Sequence, residues 1–326
     1  MNNTASPPNH QSFQPSLSVL TSVYRGTVYL PGYLSSLSAQ TFFPHLEVIF
    51  ILNQPDSEEL ALVSEFRDRF PSQVQIIEVP QVENIGASWN RALDIARGEY
   101  LAIWNVDDTR EPESFALQVE ALNAQPERSV VYGDYIVVPS FGSRQGKRWH
   151  TPPFTRTYFA RGIPQGGAFL VWRRSMQDDV GGFDEQLQAA PDLDFSVRAV
   201  LNGHTMTRVR GILGYFLDEG TGLSTRDGSR RTNIEATLLQ LRYGGFDKIR
   251  SQYLSDLHVY RTDELLIADQ WHPLSSLYPW YDPLIASRQY RRKLRPVRMF
   301  VTSLLRKLRL YDLLNNLRER FFRVDI

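Results

Sequence analysis

The chain has 326 residues, with 36 Lys and Arg against 36 Asp and Glu, 42% apolar and 22% charged residues, and no Cys. These proportions fit a globular protein of one large domain or one domain with appendages. Zero net charge removes any global field steering it to nucleic acid, and the missing thiols exclude disulfide and thiolate chemistry and suit a reducing cytosol. In chain order, residues 1–15 are polar and Pro-rich and are expected to be a disordered lead-in rather than a signal peptide. LSVLTSV (17–23) reads as a strand covered on both faces. TVYLPGYLSSLSAQ (27–40) has apolar residues at helical spacing, and LEVIFIL (46–52) is a second strand. SEELALVSEFRDRF (57–70) is an amphipathic helix opened by Ser57, with acids in its first turn. VQIIEV (74–79) is a third strand, ASWNRALDIARG (87–98) a helix closed by Gly98, and YLAIWNV (100–106) a fourth strand. This alternation predicts an α/β fold with a mostly parallel sheet flanked by helices and right-handed crossovers. Ligands of such sheets sit beyond the carboxyl ends of the strands.

After residue 110 the order loosens. Residues 113–125 read as a helix, SVVYGDYIVV (129–138) as a strand, and 141–162 as a long polar and aromatic connection of the functional or mobile sort. GGAFLVWRRS (166–175) is strand-like, 180–204 combine a Gly turn, an acidic stretch and a helix, and TRVRGILGYFL (207–217) is a further strand. The pattern from about 230 to 270 is helical, and no run of about 18 apolar residues is long enough to span a bilayer.

Asp107 and Asp108 close the fourth strand as adjacent carboxylates, which repel unless solvated or matched by a cation. A hard divalent ion such as Mg²⁺ or Mn²⁺ prefers one or two such carboxylates plus substrate phosphate oxygens; a solvated turn is the plainer reading. The segments LSVLTSVYRGTVYLPGYLSSLSAQTF, LEVIFILN, ENIGASWNRALDIARGEYLAIWNVDD and VGGFDEQLQAAPDLDFSVRA occur in the order that resembles family-two inverting glycosyltransferases of the GT-A fold, over roughly residues 16–225. The resemblance implies a nucleotide-diphospho-sugar donor, UDP- or dTDP-linked by preference, a divalent metal, and a hydroxyl acceptor on a glycan or lipid-linked saccharide.

By position, the resemblance assigns Thr21, Ser22 and Tyr24 to the nucleoside. Asn53 stands where the family usually has an Asp that accepts from the uracil ring, and Asn can still accept through its carbonyl oxygen. Asn84 and Arg91 fall near the diphosphate-side helix, where a turn residue and a surface ion pair are the alternatives. Asn105-Val106-Asp107-Asp108 takes the Asp-x-Asp place, with Asn105 replacing the first acid. Asp107 is then the main metal ligand, Asp108 an assistant or a ribose contact, and Asp218 a third metal ligand. Asp192, in PDLDFSVR, matches the general base that removes the acceptor proton, with Pro191 replacing the usual Glu. Its alternative is to cap a helix beginning at Leu193, while Asp194 is structural or acceptor-binding. Gly166 and Gly167 allow close approach to a ligand or form a bulge, Ser224 lies in a loop that could order on donor binding, and Trp149, Tyr158 and Phe159 offer rings for stacking on sugars or for packing.

The expected organisation is a lead-in (1–15), a GT-A domain (16–225), a helical extension (226–285) and a basic amphipathic helix (286–326). From Arg288 to Arg323 twelve Lys or Arg face only Asp312 and Glu319. Such a helix can lie on an anionic membrane, or its apolar face can dock on the protein or a second subunit. Localisation is therefore read as cytoplasmic, with the inner face of the plasma membrane as the peripheral site. Three usual acids are missing (Asn53, Asn105, Pro191), so a binding protein without turnover is the second reading. A nucleotidyltransferase is disfavoured because TSVYRG lacks a Gly-rich basic loop.

Overall fold

The computed structural model describes residues 13–156, 168–220, 222, 226–245, 249–290 and 292–293. Gly166, Gly167, Tyr158, Phe159, Ser224 and the basic helix from residue 294 onward lie outside the described residues. Strands β1 (Leu17–Val23), β2 (Leu46–Asn53), β3 (Val74–Val79) and β4 (Tyr100–Ile103) pair in parallel in the order β3-β2-β1-β4. The sheet continues through β8 (Val171–Arg173), β6 (Val130–Val138), β9 (Met206–Leu217) and β5 (Thr109–Arg110), with β7 (Lys147–Trp149) on β6. β8 runs antiparallel to both β4 and β6, while β6 and β9 are parallel. The carboxyl ends of β1–β4, β6 and β9 therefore share one edge, where α/β sheets bind ligands.

Two cores follow from the two-residue period of the strands. Val48, Phe50 and Leu52 pack on one face with α1 (Leu30–Ser38), α2 (Ser57–Arg69) and α4 (Ser114–Ala124). Ile49 and Ile51 pack on the other with α3 (Ile85–Ile95), α5 (Arg174–Val180) and α6 (Pro191–Leu201). The extension adds α7 (Arg226–Arg242), a 3₁₀ segment (Ser251–Val259), a hairpin of β10 (Glu264–Ile267) and β11 (Gln270–Pro273), and the short α8 (Leu274–Leu277). It is thus mixed, not helical throughout as the periodicity predicts.

Several boundaries differ from expectation for local reasons. Asp56, not Ser57, caps α2, through a reciprocal capping box with Glu59. α3 starts two residues early because Asn84 caps it, and ends at Ile95, short of Gly98. Gly98 serves close approach instead: a Cβ there would lie 2.6 Å from the Ser18 nitrogen, and the Gly98 N–H donates to Ser18 Oγ at 2.8 Å. β4 stops at Ile103 because the chain then turns, with the Trp104 indole N–H donating to the Asp108 carbonyl at 3.0 Å.

Candidate active site

The turn after β4 projects Asp107 and Asp108 against the end of β9. β5 pairs with β9 at Thr109–Tyr215 and Arg110–Gly214, and Asp108 Oδ1 accepts the Leu217 N–H at 3.0 Å. Asp108 is buried and Asp107 half-buried. Burial pushes both carboxyls up, aided at Asp108 by the charge of Asp107 and at Asp107 by Glu219. The Asn105 side-chain oxygen beside them is buried and unpartnered among the described residues. Hard oxygen donors, held close and short of countercharge, suit Mg²⁺ or Mn²⁺ completed by phosphate oxygens. No cluster of three or more His, Asp or Glu among the described residues makes a closed metal cage.

Asp218, expected as a third ligand, is exposed and accepts the Gly220 N–H. Its neighbour Glu219 is the acid that acts on Asp107, and it also accepts from the Tyr29 hydroxyl at 3.3 Å. The sequence shows Asp218 and Glu219 side by side; only the direction in which the chain leaves β9 separates them.

The donor-side loop follows β1. Thr21 turns its side chain into the core, 2.7 Å from the Tyr33 hydroxyl, which leaves only its backbone on the strand. Tyr24 is exposed, with the Arg25 guanidinium 5.1 Å from its ring centre and Arg25 itself at φ 51°. Glu59, in the first turn of α2, accepts the Gly26 N–H and braces this loop. Asn53 is 1% exposed: its amide N–H groups donate to Ser22 Oγ and Ser88 Oγ, and its oxygen accepts from the Glu83 N–H. It thus forms the floor behind Ser22, with one lone pair left. Asn84 caps α3 and donates to the Glu185 carbonyl, tying the start of α3 to the loop before α6. Arg91 is half-exposed and forms a two-pronged pair with Glu83.

Asp192 is not the cap of its helix. Pro191 occupies the first turn, where its missing N–H is harmless, and Ala190 is the N-cap without a side-chain contact. Asp192 is left half-buried, its carboxyl pushed up to about 6 by burial, against the pull of the Leu193 N–H and its own and with a small contribution from Glu235. Asp194 is structural: fully buried, it pairs with Arg198 (2.7 Å) and Arg242 (2.7 Å) and accepts from the Tyr243 hydroxyl.

Tyr135 joins the two sides. Burial raises its phenol, and the charges of both Asp108 and Asp192 raise it further, so one buried tyrosine lies within electrostatic reach of both acids. Its ring stacks on Trp149, with centroids 6.2 Å apart and planes 19° off parallel. β7 is pinned there by Asp134, whose carboxylate takes Arg148 at 2.8 Å from β7 and Arg208 at 2.5 Å from β9. Against burial, which works to raise it, these contacts and the Thr151 N–H hold Asp134 well below the usual range. Nothing in the sequence marks Tyr135, because a Tyr in the mostly apolar strand VVYGDYIVV looks like core. A separate cavity of about 340 Å³ lined by Arg128, Pro153, Phe154, Met206, Thr207 and Arg208 lies at the amino ends of β6 and β9, and none of its lining residues is an acid.

Comparison with known proteins bears on the fold and the family. An uncharacterized glycosyltransferase of Haemophilus influenzae is 24% identical over 235 residues, covering 69% of this chain and 85% of that protein. The uncharacterized protein Mb1547 of Mycobacterium bovis is 25% identical over 170 residues, or 50% of this chain and 49% of that protein, while only 12% of the y4gI protein of Sinorhizobium fredii is matched. This chain therefore spans about half or less of several curated relatives. Among solved structures, S. aureus TarS 1–349 in complex with UDP-GlcNAc superposes with a TM-score of 0.56 at 20% identity, over 73% of this chain and 69% of that one. The mannosyltransferase PcManGT of Pyrobaculum calidifontis, in complex with GDP-Man and Mn²⁺, gives 0.52 at 14% identity over 96% and 89%. The two structures share the fold of this chain, which is GT-A. The family model for glycosyl transferase family 2 matches residues 18–178, and that segment belongs to the family.

Proposed function

We propose that this protein is an inverting glycosyltransferase that moves a sugar from a nucleoside-diphosphate donor to a hydroxyl acceptor, with a divalent metal at Asp107 and Asp108 and Asp192 as general base. Supporting this reading, Asp107 and Asp108 follow β4 at the carboxyl edge of the sheet, and the charges of Asp108 and Asp192 both act on the buried phenol of Tyr135 on β6. A divalent cation held there supplies Lewis-acid neutralisation of the departing diphosphate. The chain's own part is then defined. The loop of Ser22 and Tyr24, floored by Asn53 and braced by Glu59, receives the nucleoside. Asp192, ionised above its raised pKa, takes the acceptor proton as the oxygen attacks the anomeric carbon opposite the leaving group, which inverts configuration. Trp149, exposed on its stack with Tyr135, offers a face for a sugar ring.

The lone pair left on Asn53 accepts from a base with a ring N–H, which supports uracil or thymine; a guanine N–H meets the same acceptor. The test is release of nucleoside diphosphate from UDP-GlcNAc, UDP-glucose, dTDP-glucose and GDP-mannose with and without Mn²⁺. Turnover that requires Mn²⁺ and vanishes in Asp192→Asn supports the reading. Binding without turnover for every donor supports the binding-protein reading, which Asn105 and Pro191 in acid positions motivate. The acceptor proposed is a glycan or lipid-linked saccharide, met at an anionic membrane through the basic residues 286–326. Co-sedimentation of the full chain with anionic liposomes at low salt is the expected result, and its failure removes the membrane arm.

A further inference from the structure

Resting on that reading, we infer that Glu235 is a positioning residue for the base: its carboxylate, reaching across from α7, grips the chain immediately before Asp192 and fixes where the helix start aims. Three successive backbone N–H groups converge on it, Gln188 on Oε1 at 2.9 Å and Ala189 and Ala190 on Oε2 at 2.8 Å each. The Tyr260 hydroxyl adds a fourth contact at 3.3 Å. Glu235 is fully buried. A buried carboxylate is placed among backbone donors only where it replaces the water they would otherwise bind.

The need for such a device is written into the acceptor segment. α6 begins with Ala190 as N-cap and Pro191 as its first residue, and it has no side-chain cap of its own. The N–H groups at and before the cap would be unsatisfied on a loop that carries the base. Glu235 supplies the missing acceptor from another helix. The surroundings fasten it there. Arg231, one turn earlier on α7, donates to the Gln188 side chain, and Leu238 and Leu239 pack with Leu187, Ala190 and Val197. The start of the helix that carries Asp192 is thus held by the extension as well as by the helix itself.

Glu235 also acts through charge. The groups facing Asp192 are Tyr135 from β6, Glu235 from α7, and the N–H groups of Asp192 and Leu193 on its own helix; Tyr260 and Arg231 stand one contact further out. Glu235 is the anion among the first set, so removing its charge makes the ionised base easier to form.

The test compares the full-length wild type with Glu235→Gln and Glu235→Asp, with Asp192→Asn as control. It follows Mn²⁺-dependent diphosphate release against pH with whichever donor of the panel turns over fastest. Glu235→Gln is expected to lower kcat at least about tenfold with donor KM within about twofold, and to move the acidic limb of the profile to lower pH. Glu235→Asp keeps the charge but shortens the reach, so kcat falls while the limb stays at the wild-type pH. A purely structural brace would lower activity without moving the limb; that result in Glu235→Gln, or wild-type kcat, overturns the inference. If Glu235→Gln does not unfold cooperatively, Glu235→Asp decides: a kcat loss of at least about fivefold supports the inference and kcat within about twofold overturns it. Full turnover in Asp192→Asn defeats the underlying reading instead, whatever Glu235 does.

Discussion

At the scale of the residue, the site is built from acids whose ionisation the fold makes expensive. Asp192 is the clearest case, with a carboxyl pushed up to about 6 from 3.8 by burial. A folded-state value above the unfolded one means that folding favours the protonated form. Its contribution is therefore fully present below about pH 4 and is lost as pH rises through about 6. Asp192→Asn is accordingly expected to abolish transfer, by about 10²- to 10⁴-fold, while raising stability at pH 7.5 by about 1–2 kcal/mol after allowance for partial exposure. Thermal melts at pH 7.5 and pH 4 check the second part, since the gain disappears at the lower pH. The activity of the wild type is expected to decline roughly tenfold per unit below about pH 6. Asp107 and Asp108 stand out in the sequence as paired acids after an apolar strand, whereas Asp192 stands out only through the resemblance of its segment, since an acid in a helix's first turn is ordinary. Tyr135, Glu219 and Glu235 were not, because the meaning of each depends on a partner at least 40 residues away along the chain.

At the scale of the element, α6 and the loop before it are held by a buried ionic network. Asp194 on α6 and Asp184 in the preceding loop share Arg242 of α7, at 2.7 and 2.8 Å, and Asp194 also takes Arg198 one turn on. All four side chains are fully buried, and Arg198 donates to the Val180 and Gly182 carbonyls besides. Breaking one partner leaves a charge stranded in the interior. Asp194→Ala is thus expected to cost about 3–5 kcal/mol, read as a lowered denaturation midpoint; a loss below about 1 kcal/mol would contradict the network. The strands were legible because their apolar runs are short and bounded by turn residues, as in the wholly buried Leu46–Asn53. Their neighbours were less so. Asp56 and Ser57 are both good caps, and choosing between them needs the loop of Gly26 that Glu59 serves. Gly98 looks like a helix stop, but the Ser18 backbone it approaches is 80 residues away along the chain.

At the scale of the whole molecule, the extension after residue 225 is part of the catalytic unit. Leu238, Leu239, Tyr243 and Leu257 share a core with Leu187, Ala190 and Val197, and the β10 hairpin bonds Asp184 and Glu185 through the Leu266 and Ala268 N–H groups. A chain ending at residue 225 is expected to lose cooperative unfolding, because that core and the Asp194 network open to water. Cooperative melting of the truncated chain near the full-length midpoint would contradict this. The sequence divides the molecule at that point because the strand-helix alternation ends there. The partition is one of pattern, while the packing crosses it. Separate roles for the acids after β4 and for Asp192 are checked by calorimetric titration of UDP with Mn²⁺ into wild type, Asp107→Asn and Asp192→Asn. Binding at least about tenfold weaker is expected in Asp107→Asn, a loss of more than about 1.4 kcal/mol, with wild-type affinity in Asp192→Asn. Equal affinity in Asp107→Asn and the wild type would contradict this division of roles.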